Sequence, residues 1–539
     1  EITESFINSD KIFPQRFFGF LFPVVGGLLV GWLTMRWAPE TRGGGTETYL
    51  KCFHQNSGKL KKRTTVVKFF ASLFTLGSGG SGGKEGPVTL MGAGIGSLIG
   101  VLLQLGARAQ RTLFLAGAAG GLGAIFRTPL GGAITAVEVL YKEDFESDAL
   151  IPAIIASVSA YTTFGAFYGF GHILSFKAGL FHTPFELIFY IVLALVCTAS
   201  AYLFVKLYQW TGEGFFAQLK IKPQYLPALG GLGLALLALF VPEVIGGGLL
   251  FMQKVLHSQY PKEFWTALAF FLGLAFFKML STSLTIQSGG SAGILVPSFF
   301  IGGMMGGACG LVFHQLFPQW VPEVTPFIIV GMASFFSSVT RASLGALVMV
   351  TEITGGYELL PPLMVVSVVS LIFSRHSSIF KNQVDNKFYS KAHLWDMNPK
   401  LLNRLKVGEA FHNFSSQAII PQSLPLQDLR NLAKKEHEFY FFVKDEEGNL
   451  VGRLSIHSLE EVEENLEDLK DLVVAEDFCE KTSLFVTPQN TLFEALEVLK
   501  NSGFDKVAVV ESLTKPRLLG YLSRQAILNF YNSLGTASA

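Results

Sequence analysis

Long apolar stretches alternate with short polar or glycine-rich interruptions along the first 375 residues. The stretches lie at about 17–37, 64–76, 88–105, 112–140, 150–170, 184–209, 225–241, 263–286, 294–316, 325–350 and 359–374. Several are shorter than the roughly 20 residues that a helix needs to cross a bilayer. Broken helices are tolerated in a membrane where protein or water covers their free backbone groups. The pattern therefore predicts a mainly α, polytopic membrane domain in which some helices are broken.

The character of the chain changes after about residue 385, where charged residues become frequent, as in KDEEGN and LEEVEENLEDLKD. We predict a membrane domain at 13–390 and a soluble domain at 400–539. The soluble part has the pattern strand, turn, strand at 439–456 and again at 507–523. A capping box, TLFE, opens a helix at Thr491. This alternation predicts a mixed α/β fold.

The apolar part contains an internal duplication. Three segments recur in the same order, at offsets of 203, 210 and 214 positions: APETRGGG at 38–45 with VPEVIGGG at 241–248, 68–87 with 278–297, and 117–139 with 331–353. Three matches at nearly one offset indicate a true repeat. The residues alone leave open whether the halves are parallel or inverted, although inverted repeats with a site near the membrane midplane are common in transporters.

Composition supports the membrane class and excludes others. Half of the residues are hydrophobic, only 15% are charged, and the mean hydropathy is +0.42, whereas a soluble domain has about 25% charged residues. The net charge of +1 provides no basic field for nucleic acid. The four cysteines are far apart and form no CxxC pair, so neither a disulfide framework nor a zinc site is predicted.

Three glycine-rich turns precede apolar segments, at Gly43–Gly45, Gly83–Pro87 and Gly293–Pro297. The first turn of a helix leaves backbone N–H groups free, and the helix dipole adds partial positive charge there. Several such ends together form an anion site without a fixed cation, and conduction requires weak binding. The alternative is that these glycines only allow helices to pack closely.

Glu85 lies inside the second of these turns. A carboxylate deep in an apolar region is costly and is usually functional. It can occupy the anion site and leave when it is protonated, which would make it a gate. The alternative is a carboxylate that only caps a helix N-terminus. Glu138 and Glu352 recur at equivalent places in the two repeats, so we expect them to satisfy backbone groups of the neighbouring repeat.

These residues resemble motifs of the CLC family of chloride channels and proton-coupled chloride antiporters. GKEGP at 83–87 resembles the family's G(K/R)EGP motif, and GILVP at 293–297 resembles its GxFxP motif. Residues 117–139 are similar to the family helix that carries a paired acidic motif. The similarity covers about residues 15–390. It implies an inverted-repeat fold, a gating role for Glu85, and a homodimer with one pore per subunit.

The resemblance also implies which residues contact the anion. The backbone amides of Ile294 and Leu295 are expected to do so. The family's central tyrosine aligns best with Tyr389. The alternative is that Tyr389 is an ordinary interfacial tyrosine. Together with the turns, the predicted anion-binding residues are Gly44, Gly45, Gly86, Ile294, Leu295 and Tyr389. No catalytic or metal-binding residue is predicted.

Three departures from the family pattern affect the predicted function. Gly44 stands where the family usually has a serine whose hydroxyl faces the ion, so one donor is lost. Leu295 replaces the phenylalanine of GxFxP. Coupled antiporters usually carry an internal glutamate next to the Glu138 position, and here Val139 stands there, as in many family channels. A chain without that titratable group favours passive permeation.

The soluble part resembles the paired CBS motifs that family members often carry. Such pairs often bind adenine nucleotides through an acidic residue, and the matching positions here are Ser458 and Ala526. We therefore predict no cofactor. An adenine nucleotide and a purely structural, dimerising role both stay open for this domain.

The sequence thus predicts an integral, multi-pass membrane protein with a cytosolic C-terminal domain, and not an enzyme. Its predicted function is gated permeation of chloride or a similar small anion, and proton-coupled antiport is the alternative on the same scaffold. A divalent-cation transporter would need acidic clusters in its pore, and the apolar region has few acids. The expected partners are the anion, the bilayer and a second copy of the chain, without nucleic acid.

Overall fold

The structure is a computed structural model with two compact units, Glu1–Ala392 and His393–Ala539. The residues that it describes are 13–176, 181, 184–375, 378–387, 390–393, 402–410, 419–425, 428–429, 432, 440–455, 474–480, 484–502, 506–512, 514, 516–524, 526–527 and 530. The division between the units falls within the interval from 390 to 400 that the composition leaves between the two predicted domains.

The first unit is helical. Its helices are α1 (Phe13–Trp37), α2 (Thr46–Asn56), α3 (Lys62–Gly77), α4 (Glu85–Leu102), α5 (Ala107–Phe126), α6 (Pro129–Glu138), α7 (Ser147–Tyr168), α8 (Glu186–Gln209), α9 (Leu226–Phe240), α10 (Leu249–Leu256), α11 (Phe264–Gln287), α12 (Leu295–Leu316), α13 (Thr325–Thr340), α14 (Ser343–Thr354) and α15 (Leu360–Phe373). Six helices in the described part of the chain are long and apolar enough to cross a membrane, and further apolar helices are shorter. The predicted mixture of complete and broken spans is confirmed.

The two repeats are joined by reciprocal backbone contacts. Gly83 and Gly293 form an antiparallel bridge in which each N–H donates to the other carbonyl, at 2.9 and 2.6 Å. Thr75 Oγ1 accepts the N–H of Ser291 at 2.9 Å, and Thr285 Oγ1 accepts that of Ser81 at 3.1 Å. Contacts that exchange equivalent residues in this way require a two-fold relation between the halves. The duplication is confirmed, and equivalent segments run in opposite directions at the bridge.

The recurring glutamates each satisfy the helix start of the opposite repeat. The Glu138 carboxylate, at the end of α6, accepts the N–H of Gly345 at the start of α14. The Glu352 carboxylate, on α14, accepts the N–H of Gly131 at the start of α6. The two donor–acceptor distances are 2.6 and 2.7 Å. These bonds confirm the structural role expected for both glutamates, since free N–H groups of a buried helix start need acceptors.

Glycines inside the helices have a packing role. A Cβ on Gly92 of α4 would clash with the carbonyl oxygen of Gly117 of α5, and the reverse also holds. Gly302 of α12 and Gly331 of α13 make the equivalent mutual contact in the second repeat. Small residues let helix backbones approach closely in a membrane. Close packing of helices, the alternative explanation for the glycines, therefore applies at these four positions.

The second unit contains two three-stranded sheets of identical topology. The strands are β1 (Ile419–Pro421), β2 (Tyr440–Lys444), β3 (Leu450–Ser455), β4 (Phe485–Val486), β5 (Lys506–Val510) and β6 (Leu518–Ser523). The strand order is β1-β2-β3 in one sheet and β4-β5-β6 in the other. In each sheet the first pair is parallel and the second is antiparallel. Both predicted strand–turn–strand segments are confirmed.

The predicted capping box is also confirmed. Thr491 Oγ1 accepts the N–H of Glu494 at 3.1 Å, and Glu494 Oε2 accepts the N–H of Thr491 at 2.9 Å. The helix that follows is α17 (Leu492–Ser502), after the short α16 (Val407–Ala410). The hydrogen bonds from Asn490 and Thr491 lower the pKa of the Glu494 carboxyl.

Candidate functional site

The bridge between Gly83 and Gly293 places the starts of α4 and α12 next to each other. Gly86, in the first turn of α4, lies so close to the partner repeat that its Cβ would meet the Cα of Gly293 at 3.1 Å. The same Cβ would clash with the carbonyl oxygen of Gly44, just before α2. The three glycine-rich turns therefore converge, and three helix N-termini meet in the centre of the first unit.

The Glu85 carboxylate lies at this point of convergence. The side chain has no exposed surface, and its Oε1 accepts the N–H of Val296 at 3.1 Å. Val296 belongs to the first turn of α12, so the carboxylate binds a free N–H group from the opposite repeat. Its Oε2 has no hydrogen-bond partner in the described part of the chain. A buried oxygen of this kind is rare in proteins.

This arrangement has a direct chemical consequence. The charged carboxylate takes the place that a small anion would take, because both are attracted by the N–H groups and dipoles of the helix starts. Burial without full hydrogen bonding disfavours the charged form. Protonation of Glu85 removes its charge and thereby weakens its hold on the α12 start.

One buried lysine in each repeat binds the carbonyl groups of a glycine-rich turn. Lys68 Nζ donates to the carbonyls of Thr41 and Gly43, at 3.0 and 2.7 Å. In the second repeat, Lys278 Nζ donates to Val244 and Gly246, at 2.9 and 2.6 Å. Sequence reasoning found that Lys68 recurs but assigned it no role. Its recurrence within an apolar helix was the available signal, because a buried ammonium group needs acceptors.

Gly44 and Gly45, in the turn before α2, differ in backbone conformation and in the space that they leave for a side chain. Gly45 has a φ of 89° and caps α2, and a Cβ there would lie 2.9 Å from the carbonyl oxygen of Gly86. Gly44 is not in the left-handed region, and a Cβ there would lie 3.5 Å from the carbonyl oxygen of Ala292. A side chain therefore fits at Gly44 without strain, whereas Gly45 requires glycine.

The structure brings most of the predicted anion-binding residues together. Gly44, Gly45 and Gly86 are adjacent. Ile294 precedes α12 and Leu295 begins it, so both lie beside Val296, which binds Glu85. Their role as anion ligands stays a prediction. Tyr389 lies outside the described residues.

Two further features concern proton transfer and metal binding. Val139 is the C-cap residue of α6 and is buried. Within the described ranges, no group of three or more His, Cys, Asp or Glu residues is arranged to hold a metal ion.

Comparison with known proteins agrees with this geometry. The sequence profile of the family described as "Voltage gated chloride channel" matches residues 26–375, and that of the CBS domain matches residues 474–533. An uncharacterized protein of Methanocaldococcus jannaschii is 31% identical over 371 residues, which cover 69% of this chain and 89% of the relative.

Two further relatives have functional names. The H(+)/Cl(-) exchange transporter ClcA of Vibrio cholerae is 29% identical, and the match covers 64% of this chain and 73% of the relative. The crystal structure of a slow cyanobacterial Cl-/H+ antiporter is 25% identical with a TM-score of 0.60, and the match covers 67% of this chain and 84% of that one. The match to the family profile, together with the reciprocal helix starts around Glu85, shows that the chain belongs to the voltage-gated chloride channel (CLC) family and carries a C-terminal CBS domain.

Proposed function

We propose that this integral, multi-pass membrane protein conducts chloride or a similar small anion passively, through a pathway lined by helix N-termini and gated by Glu85. Family membership supports chloride transport as such. The observation that carries the gating mechanism is the hydrogen bond from the Val296 N–H to the Glu85 carboxylate. An anion must displace this carboxylate to pass, and protonation releases it.

The anion is held in this proposal by backbone groups. Gly44, Gly45 and Gly86 line one side of the convergence, and the amides of Ile294 and Leu295 line the other. Partial charges bind an anion more weakly than a fixed cation does, so the ion can leave again. The ammonium groups of the buried Lys68 and Lys278 are engaged by carbonyl oxygens, and Lys84, next to Glu85, is exposed.

The passive mode rests on Val139. A proton that crosses apolar protein needs an ionisable group or a chain of water molecules. Val139 cannot titrate, and the neighbouring Glu138 carboxylate is bound to the start of α14. Obligatory exchange of anion for proton therefore lacks the relay that the family's coupled members usually have.

Proton-coupled antiport is the second candidate. The names of the exchange transporter of Vibrio cholerae and of the cyanobacterial antiporter favour it. Both candidates use the same site and the same gate. They differ in whether proton movement is tied to anion movement at a fixed ratio.

The remaining partners follow from family membership. We propose a homodimer with one pathway per subunit and a cytosolic regulatory role for the C-terminal unit. Adenine nucleotide at the CBS domain is not proposed.

The direct test of the gate is Glu85→Gln in proteoliposomes. The amide has the shape of the protonated acid, so we expect higher chloride flux that no longer varies between pH 5 and pH 8. Reversal potentials should follow chloride and not potassium. A flux equally independent of pH in the wild type, or reversal potentials set by potassium, would contradict the proposal.

A further inference from the structure

Arg42 stands directly before the Gly43–Gly45 turn and interrupts the symmetry of the two repeats. The equivalent position, 203 residues further on, is the buried Ile245, although the proline, the glutamate and the glycines around it are the same in both repeats. A guanidinium group stays charged at any ordinary pH. The first glycine-rich turn therefore has a full positive charge beside it, where the second repeat has an apolar side chain.

The side chain of Arg42 reaches across to the other repeat. Its Nη2 donates to the carbonyl oxygen of Ser288 at 3.2 Å, and Ser288 is the C-cap residue of α11. A Cβ on Gly289 would lie only 2.8 Å from Nε, so the guanidinium packs directly against this glycine. The charge is therefore held at one place between the repeats and is not carried by a freely moving side chain.

The hydrogen bonding of this guanidinium is incomplete. Nε is buried and has no partner in the described part of the chain. Nη1 has no protein partner among the described residues either, and it is not buried. No carboxylate in the described ranges forms an ion pair with Arg42. A guanidinium has five N–H donors, and the Ser288 carbonyl occupies one of them, so Arg42 keeps the capacity to bind an anion.

Water reaches Arg42 and the adjoining turn. Arg42, Gly43 and Gly44 are partly exposed, whereas Gly45 is buried. A charged side chain is costly against lipid, so the exposed part of Arg42 faces water. Because the three partly exposed residues are consecutive, one opening gives access both to the guanidinium and to the start of the predicted anion site.

This opening lies on the side of the membrane unit where the chain leaves towards the C-terminal unit. The Glu47 carboxylate, in the first turn of α2, accepts the backbone N–H groups of Lys381 and Asn382 at 2.6 and 3.2 Å. These two residues belong to the segment that precedes the second unit, which begins at His393. Glu47 follows Gly45 by two positions, so the turn and the guanidinium beside it lie near this exit of the chain.

We propose that Arg42 forms an anion-binding site at this mouth of the pathway, and that the site takes a small inorganic anion and passes it on to Gly44 and Gly45. The inference rests on the proposed function, because it requires that anions pass this turn. A fixed charge in an opening of the protein raises the local concentration of ions of the opposite sign. Water screens part of the charge, so the anion is held weakly enough to move on.

The alternative is a structural role, in which Arg42 only stabilises the C-terminus of α11, where the helix dipole favours a positive charge. The two roles differ in what a substitution changes. A structural role affects thermal unfolding, but it does not make the chloride dependence of flux sensitive to the charge at residue 42 or to ionic strength. An anion site at Arg42 makes the flux sensitive to both.

The test measures chloride uptake into proteoliposomes whose C-terminal unit faces outwards, verified by protease access, at a series of outer chloride concentrations and constant ionic strength. Arg42→Gln should raise the half-saturating chloride concentration roughly fivefold, the effect of one unit charge about 4 Å away in water. The flux at saturating chloride should stay unchanged. In about 1 M of an impermeant salt the Debye length is only about 3 Å, so the wild type should then approach the variant.

Two variants serve as matched controls. Arg36→Gln removes the same charge from an exposed residue six positions earlier, in the last turn of α1. It should shift the half-saturating chloride concentration little. Arg42→Lys keeps the charge, so its half-saturating concentration should stay close to that of the wild type.

The outcomes separate this inference from the proposed function. An unchanged half-saturating concentration in folded Arg42→Gln protein, or an equal shift in Arg36→Gln, overturns the anion site at Arg42 alone. Loss of chloride selectivity, or the absence of any effect of Glu85→Gln, overturns the proposed function instead. If Arg42→Gln unfolds, Arg42→Ile is measured in the same way, because isoleucine is the residue of the second repeat. The dependence of wild-type uptake on ionic strength needs no substitution, and its absence contradicts the inference.

Discussion

Gly83 and Gly293, one in each repeat, donate their N–H groups to each other's carbonyl oxygens. Each glycine stands two positions before the first residue of a helix, so this pair fixes the separation of the N-termini of α4 and α12. Neither position can hold a side chain freely, because the Glu85 carboxylate occupies the space beside both glycines. The glycines that join the two repeats thus also form the space in which the Glu85 carboxylate lies.

Gly83→Ala is predicted to displace the gate. The new Cβ would clash with both carboxylate oxygens of Glu85, which form the movable end of a flexible side chain. We expect Glu85 to leave the Val296 N–H, so that chloride flux rises several-fold at pH 7 and depends less on pH. Flux measured in proteoliposomes tests this, and a flux lower than that of the wild type in folded protein would contradict it.

Gly293→Ala is the control for that prediction. Its Cβ would meet Glu85 Oε1 and also, at 2.7 Å, the backbone nitrogen of Gly86. Backbone cannot move aside as a carboxylate can, so this variant should lose thermal stability where Gly83→Ala does not. Equal thermal unfolding of the two variants in detergent would show that the bridge tolerates both changes alike.

Gly44→Ser is predicted to strengthen chloride binding. The Cβ fits at 3.5 Å from the Ala292 carbonyl oxygen, and the hydroxyl supplies the donor that this turn lacks. One hydrogen bond of about 1 kcal/mol corresponds to roughly fivefold tighter binding. Isothermal titration with chloride measures the change, with Gly45→Ser, which is strained by its φ of 89°, as the destabilised comparison. Unchanged affinity for Gly44→Ser would place the ion away from this turn.

Glu138→Gln is predicted to destabilise the membrane unit. An amide can accept only one of the N–H groups at the start of α14 through its oxygen, and its NH₂ faces the other. Charge-assisted bonds of this kind contribute about 1.5–3 kcal/mol. Thermal unfolding in detergent should show the loss, with a smaller loss for Glu352→Gln, whose site is only half-buried. A larger loss for Glu352→Gln would reverse this ranking.

Deletion of residues 400–539 is predicted to leave a folded membrane unit with measurable chloride flux. The described core of the first unit is built from residues before 393, and the second unit has its own cores. Flux amplitude or gating should change if the C-terminal unit is regulatory. Complete unfolding of the truncated protein in mild detergent would contradict its independence.

The parts of the site that sequence reasoning could predict are those that recur. Glu138 and Glu352 perform the same task in opposite directions, so their repetition in an apolar context revealed a structural role. The three glycine-rich turns were recognisable because an anion site can be formed by the free backbone N–H groups at helix starts, without any particular side chain. The role of Lys68 was missed, since its acceptors are carbonyl oxygens, which no side-chain pattern reports.

The contact between His54 and Ser390 could not be predicted from the sequence, for a different reason. His54 and Ser390 are separated by 336 positions and meet only when the segment after α15 folds back onto α2. A single histidine on a short helix has no spacing signal.

Simultaneous recording of chloride and proton movement in proteoliposomes tests the central proposal most directly. A chloride gradient is imposed, and a pH electrode follows the outer solution. We predict chloride flux without obligatory proton movement, and pH-independent flux in Glu85→Gln. Uphill proton movement at a fixed ratio to chloride, abolished by Glu85→Gln, would contradict passive permeation and establish the antiporter.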